Sequence, residues 1–139
     1  MPVLETIIGK KKPQHESFDE VLDLLQKFMI KSKSQSPMRQ YTSPQETLIT
    51  MYTYGALAYL AEEIGVSKEE NNFLSVAYIQ RQGLSHKDAK QEVKVILQQA
   101  DDPSMRWHVE IGYNSARYRH KDKDPNAPKA LTRLLKTMR

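Results

Sequence analysis

Between Arg106 and Asp124 the chain reads RWHVEIGYNSARYRHKDKD, which gathers the single tryptophan, two of the four histidines, two tyrosines and a run of alternating charge. Residues of these types serve acid–base catalysis, metal binding, or stacking and ion pairing against a polyanion. Spacing narrows the choice. A helical metal site needs two ligands one turn apart, yet His108 and Glu110 are two residues apart and diverge. No His-x-x-x-His or Glu-x-x-His pair occurs at His15, His86, His108 or His120. Cysteine is absent, which removes thiolate ligands, disulfides and cysteine nucleophiles. The acid pairs Glu62-Glu63, Glu69-Glu70 and Asp101-Asp102 have neighbours about 100° apart on a helix, so they do not converge as a general acid and base. Neither a phosphate-cradling glycine loop nor a Gly-x-Ser-x-Gly elbow is present. A catalytic site would have to be assembled from His108, Tyr113 and Arg117. The expectation is no catalytic residue, no metal and no cofactor.

On a helical wheel the same stretch has two apolar stripes. Met105, Val109, Gly112 and Ala116 form one, in which Gly112 and Ala116 would let a neighbouring backbone come close. Trp107, Ile111 and Tyr118 form the other, and Arg106, Glu110 and Arg117 occupy the wet arc between. One stripe suffices to join a core. The second is free for another element of the chain or for a partner, so Trp107, Ile111 and Tyr118 are the candidate partner-binding residues.

The elements that would position these residues are announced by start signals. SFDE at Ser17, SPQE at Ser43 and SKEE at Ser67 have the form of capping boxes, and SHKD at Ser85 is the aspartate version. Asp102-Pro103 and Asn126 mark two further starts, while Gly65 and Gly83 stand where helices end. The spacing predicts helices over 18–32, 44–64, 68–82, 86–100, 103–119 and 127–138. Phe18, Val21, Leu22, Leu25, Phe28 and Met29 give the first its apolar face. Phe73, Val76, Ala77 and Ile79 do so in the third, and Ala89, Val93, Ile96, Leu97 and Ala100 in the fourth. From Thr47 to Ala61 the second helix has no charge at all, which marks it as the centre of the bundle. The fold class expected is all-α, a single-domain bundle of five to six helices around a central helix at 44–64. Residues 1–14 would be an arm, with PVLETII at 2–8 unpaired. Residues 15–139 would be the bundle domain, and Lys33 to Thr42 a Ser-rich mobile connection.

At 139 residues, 39% hydrophobic and 27% charged, the chain suits one globular domain rather than a disordered one. The uncharged run is shorter than the ~20 residues a bilayer needs, and the N-terminal MPVLETIIGKKK places its charge after its apolar run, the reverse of a secretory leader. The expectation is therefore cytoplasmic, with no membrane contact. The net charge of +4 is unevenly spread: eight Lys or Arg against Asp122 and Asp124 give +6 from Arg117 onward, leaving −2 for everything before. Attraction for a polyanion would be local to that segment. Its candidate nucleic-acid contacts are Arg117, Arg119, Lys121, Lys123, Lys129, Arg133 and Lys136.

Residues 60–74 read LAEEIGVSKEENNFL, and Leu60, Ala61, Gly65, Val66, Ser67 and Leu74 stand at spacings that resemble the helix-turn-helix of bacterial repressors. The resemblance implies a recognition helix whose first residues, Lys68, Glu69 and Glu70, enter a DNA major groove. Two carboxylates there repel phosphate, and Asn71 stands where that family has a buried Val or Ile. The competing reading is two bundle helices joined by a tight turn. The function expected is a small helical interaction module, of adaptor, inhibitor or immunity type, with a protein partner or a homodimer. The alternative is nucleic-acid binding through the basic segment or residues 60–74.

Overall fold

The computed structural model describes residues 14–34 and 40–137, with side chains from Ser17 onward. The expected arm at 2–8 and the middle of the Lys33–Thr42 connection lie outside the described residues. The described elements are α1 (Gln14–Ser34), α2 (Ser43–Ile64), a 3-10 turn (Lys68–Glu70), α3 (Asn71–Arg81), α4 (His86–Ala100), α5 (Pro103–Lys121) and α6 (Lys129–Lys136). The chain is an all-helical bundle, with no strand among the described residues.

Helix α2 is central because its sequence leaves it no wet face, and it packs on each of the other five α-helices. Its closest partner is α5, and two glycines explain how close. Gly55 of α2 lies against the Val109 carbonyl of α5, and Gly112 of α5 lies against the Tyr52 carbonyl of α2. A β-carbon on Gly55 would stand 2.8 Å from the Val109 carbonyl carbon and 2.9 Å from the Tyr113 nitrogen. One on Gly112 would stand 2.7 Å from the Tyr52 carbonyl carbon and 2.8 Å from its Cα. These are backbone atoms and have no rotamer to escape into. The glycine expected to admit a neighbour does so, and a second one on α2 reciprocates.

Around this crossing α1 buries Val21, Leu22, Leu25, Phe28 and Met29, α4 buries Ala89, Val93 and Ile96, and α6 buries Leu131, Leu134 and Leu135. Tyr52, wholly buried, stacks on Phe28 with 5.8 Å between ring centroids, and its hydroxyl lies 3.3 Å from the Ser32 hydroxyl. Arg81 ties α3 to α1 through Asp23 at 2.8 Å and Asp19 at 3.6 Å, an exposed pair of contacts worth under about 1 kcal/mol.

Helix starts differ from the capping-box reading at several places. α1 is already helical at Gln14, the first described residue, so Ser17 lies inside it; nothing in Gln14–Glu16 breaks a helix. α2 is capped by Thr42, which accepts from the Gln45 N–H while the Gln45 side chain accepts from the Thr42 N–H, so the box stands one residue before Ser43. Ser67 makes no side-chain cap; a 3-10 turn intervenes and α3 starts at Asn71. That shift rotates the buried face to Leu74 and Ser75, leaving Phe73 half exposed against Phe18. The last helix starts at Lys129 because residues 125–128 close hydrogen-bonded turns first. Ser85 and Asp102 cap α4 and α5 as expected, and Gly65 ends α2 at φ 96°, where the Val66 N–H reaches the Ala61 carbonyl at 2.8 Å. Among the described residues no helix is long and apolar enough to cross a membrane.

Candidate functional site

Because α5 gives its Gly112 and Ala116 face to α2, its opposite face is what it offers outward. Trp107 is 52% exposed and Tyr118 is 44% exposed, eleven residues apart and thus on one line of the helix. Ile111, expected to share that stripe, is half-buried against the core and underpins it. The Arg117 guanidinium lies 5.1 Å from the centre of the Tyr118 ring, holding a cation over its face. Glu110, Asn114 and Lys121, all exposed, complete the same outward surface.

His108, Tyr113 and Arg117 are not brought together. Arg117 and Tyr113 lie one turn apart, whereas His108 stands on the far side of α5 from Arg117, with its ring beside Trp107 at 5.2 Å. Burial holds the His108 pKa below its usual value, favouring neutral imidazole, and Nδ1 has no hydrogen-bond partner among the described residues. Tyr113 donates instead to Glu62 at 2.8 Å, and Tyr59 donates to Glu63 at 3.3 Å; the two rings meet edge to face at 5.4 Å. His120 packs edgewise on Tyr59. Two phenols, each donating to a carboxylate, make a clamp between α2 and α5. Among the described residues no three His, Asp or Glu side chains gather as a metal cluster.

That clamp sets a pH dependence. Burial first, then the adjacent Glu63 carboxylate, pushes the Tyr59 phenol up to about 12, and the hydrogen bond to Glu62 raises Tyr113 as well. An unfolded phenol ionises near 10. The folded state therefore holds a proton that the unfolded state releases, so this contribution is complete below pH 10 and is lost as pH rises to about 12. The thermal midpoint is expected to fall steeply across that window, and less steeply in Tyr59→Phe. An ultraviolet titration in which all seven tyrosines ionise together near the ordinary value would contradict this.

The seven basic candidates separate into groups. Lys129, Arg133 and Lys136 are exposed along one face of α6, opposite its buried leucines. Arg117 serves the Tyr118 face, and Lys121 is exposed nearby. Arg119 and Lys123 line a cavity of about 390 Å³ between α1 and α5, together with Lys27, Lys31 and His120. Its floor is Leu24, Phe28, Leu60 and Ala116. The repressor-like residues run from the end of α2 through the turn at Gly65 and the 3-10 turn into α3, with Lys68 and Glu69 exposed. That turn borders a second cavity of about 530 Å³, lined by Glu62, Lys68, Asn71 and Tyr113 among others.

No family model matches this chain, and no curated protein or solved structure matches it either.

Sequence reasoning did not single out Lys27, Lys31 and His120. A partial signal was present: Lys27 and Lys31 are one turn apart and flank Leu24 and Phe28 on α1, a pair of cations bordering an apolar face. Tyr59 and Glu63 were legible in the same way, at i and i+4. Tyr113 and Glu62 were not, because no local pattern links positions so far apart.

Proposed function

We propose that this chain is a small helical interaction module that docks another protein on the outer face of α5 and performs no catalytic step of its own. The observation that carries this reading is the half-exposed Trp107 in line with Tyr118, on a helix whose other face is committed to α2. Tryptophan and tyrosine dominate binding energy at interfaces because they bury much area at low cost in side-chain order. Arg117 and Lys121 make the Tyr118 end of the face basic, so the partner that fits has an apolar pocket for the indole and an acidic rim beside it. Such an interface would bury on the order of 1,000 Å² or more.

Trp107→Ala is expected to weaken the complex by about 2 kcal/mol or more, roughly thirtyfold, with little change in thermal midpoint because the indole is half in water. Wild type and Trp107→Ala used as paired baits should differ in one acidic protein, whose affinity is then measured with purified components. Light scattering of the chain alone is the companion measurement. A dimer abolished by Trp107→Ala places a second copy on the face. A monomer whose retained proteins are indifferent to Trp107→Ala and Tyr118→Ala refutes the reading.

One observation favours a second reading, nucleic-acid binding. Lys129, Arg133 and Lys136 form an uninterrupted cationic row on α6, and no acidic residue lies in that helix. Each phosphate they neutralise would steepen the dependence of log affinity on log salt by about 0.9. Anisotropy of a labelled duplex at about 50 mM salt decides it: no binding there, or binding unchanged when all three become glutamine, removes the idea.

A further inference from the structure

We infer that the cavity between α1 and α5 is a binding site for a small phosphorylated molecule with an apolar body, no larger than a nucleoside diphosphate. The site is separate from the outer face of α5 and does not depend on the docking reading. Lys27 and Lys31 reach it from α1, Arg119 and His120 from the last turns of α5, and Lys123 from the loop that follows. Among the described residues no carboxylate lines it, and none of these four Lys or Arg side chains has an ion pair. Of the acids nearest in sequence, Asp23 binds Arg81, the Asp124 carboxylate accepts from the Asn126 N–H at 2.9 Å, and the exposed Asp122 is not part of the lining.

Four like charges around one concavity repel one another, and an anion that reaches several of them at once relieves that repulsion. A single carboxylate would satisfy one or two. A phosphate or diphosphate presents enough oxygens and charge for all four, with the Arg119 guanidinium suited to bidentate contact. The apolar floor of Leu24, Phe28, Leu60 and Ala116 gives a purely inorganic anion nothing to pack on, so the ligand has a hydrophobic or aromatic part. At about 390 Å³ the cavity is at the small end of ligand sites.

The backbone supplies an independent observation. Lys123 sits at φ 57°, in the left-handed region, and is the one non-glycine residue to do so among those described. That position after a helix ordinarily belongs to glycine. The Asp124 N–H returns to the Tyr118 carbonyl at 3.1 Å and holds the turn. The chain thus keeps a lysine in a strained conformation at the rim of a cation-lined cavity, where glycine would be easier.

Calorimetric titration of the full chain with ADP, decyl phosphate, pyrophosphate and decanoate tests the assignment, beside flotation with phosphatidic acid vesicles. ADP or decyl phosphate is expected to bind in the micromolar range, with pyrophosphate and decanoate each weaker by about tenfold or more. Arg119→Gln and the Lys27→Gln, Lys31→Gln pair should each weaken that binding by about tenfold. Lys123→Gly should do the same without lowering the thermal midpoint, which separates loss of binding from loss of fold. ADP binding identifies a soluble ligand; vesicle binding lost in the same variants identifies a lipid phosphate. The assignment is overturned if no probe binds at millimolar concentration, if pyrophosphate or decanoate binds as tightly as its counterpart, or if the variants bind like wild type. Capture of a labelled oligonucleotide through these residues, with no small probe bound, also overturns it.

Discussion

Gly112→Ala is expected to destabilise the chain by about 3 kcal/mol or more and to lower its thermal midpoint by on the order of 10 °C. The sign is not given by helix propensity. In an isolated helix the same change gains about 1 kcal/mol, since alanine is the better helix former. Here the new methyl would overlap the Tyr52 carbonyl, with that residue's Cα 2.8 Å away, and a backbone can yield only by moving a whole helix. Gly55→Ala meets the Val109 carbonyl and the Tyr113 nitrogen and should cost a similar amount. The two substitutions act on one crossing. Once the first has pushed α2 and α5 apart, the second finds room, so the double variant should lose clearly less than the sum of the singles. Gly65→Ala is the control: its φ of 96° costs about 1 kcal/mol, but nothing lies within 4 Å of the added carbon. Denaturant unfolding of the four variants reads this out. A Gly112→Ala chain as stable as wild type would mean that α2 and α5 do not touch through their backbones.

Those glycines also mark the border of what local sequence carries. The uncharged run from Thr47 to Ala61 pointed to a central helix, and Ala89, Val93 and Ile96 to one inward face, because periodicity is a property of the segment itself. Gly112 was legible through its spacing to Ala116; Gly55, in the middle of the neutral run, had no stripe to belong to. Helix starts were legible to within a few residues. The pattern is degenerate where Thr42 and Ser43 each have an acceptable partner three positions on, and tertiary packing chose the pair Thr42 and Gln45. The third helix went further astray, since a 3-10 turn at Lys68–Glu70 offset the start and turned Phe73 outward. For the candidate sites, the line through Trp107 and Tyr118 follows from helical geometry alone, but whether another element covers it is decided by the whole bundle. The cavity cations are the extreme case. Lys27 and Lys31 lie near one end of the chain and Arg119 and Lys123 near the other, and only the packing of α1 and α5 on the same central α2 brings them round one space.

Tyr52→Ala should be comparably severe, at about 3–5 kcal/mol, while Tyr52→Phe should cost about 1–2 kcal/mol. Among the described residues Tyr52 is the largest wholly buried side chain, and its ring packs between α1 and α2, stacked on Phe28. Removing the ring opens a cavity in a neighbourhood already constrained by the contact of the Tyr52 carbonyl with Gly112, so little collapse is available to close it. Phenylalanine keeps the ring and loses only the hydroxyl, whose hydrogen-bond partner is Ser32. Burial raises the Tyr52 pKa, so this group is a neutral donor and acceptor throughout the stable pH range. The hydroxyl's value lies mainly in satisfying Ser32, which is itself 0% exposed and would be left facing a hydrocarbon ring. Adding Ser32→Ala to Tyr52→Phe should therefore cost almost nothing further, whereas Ser32→Ala alone should cost about 1 kcal/mol. If the two losses simply add, the 3.3 Å contact contributes no coupling between α1 and α2.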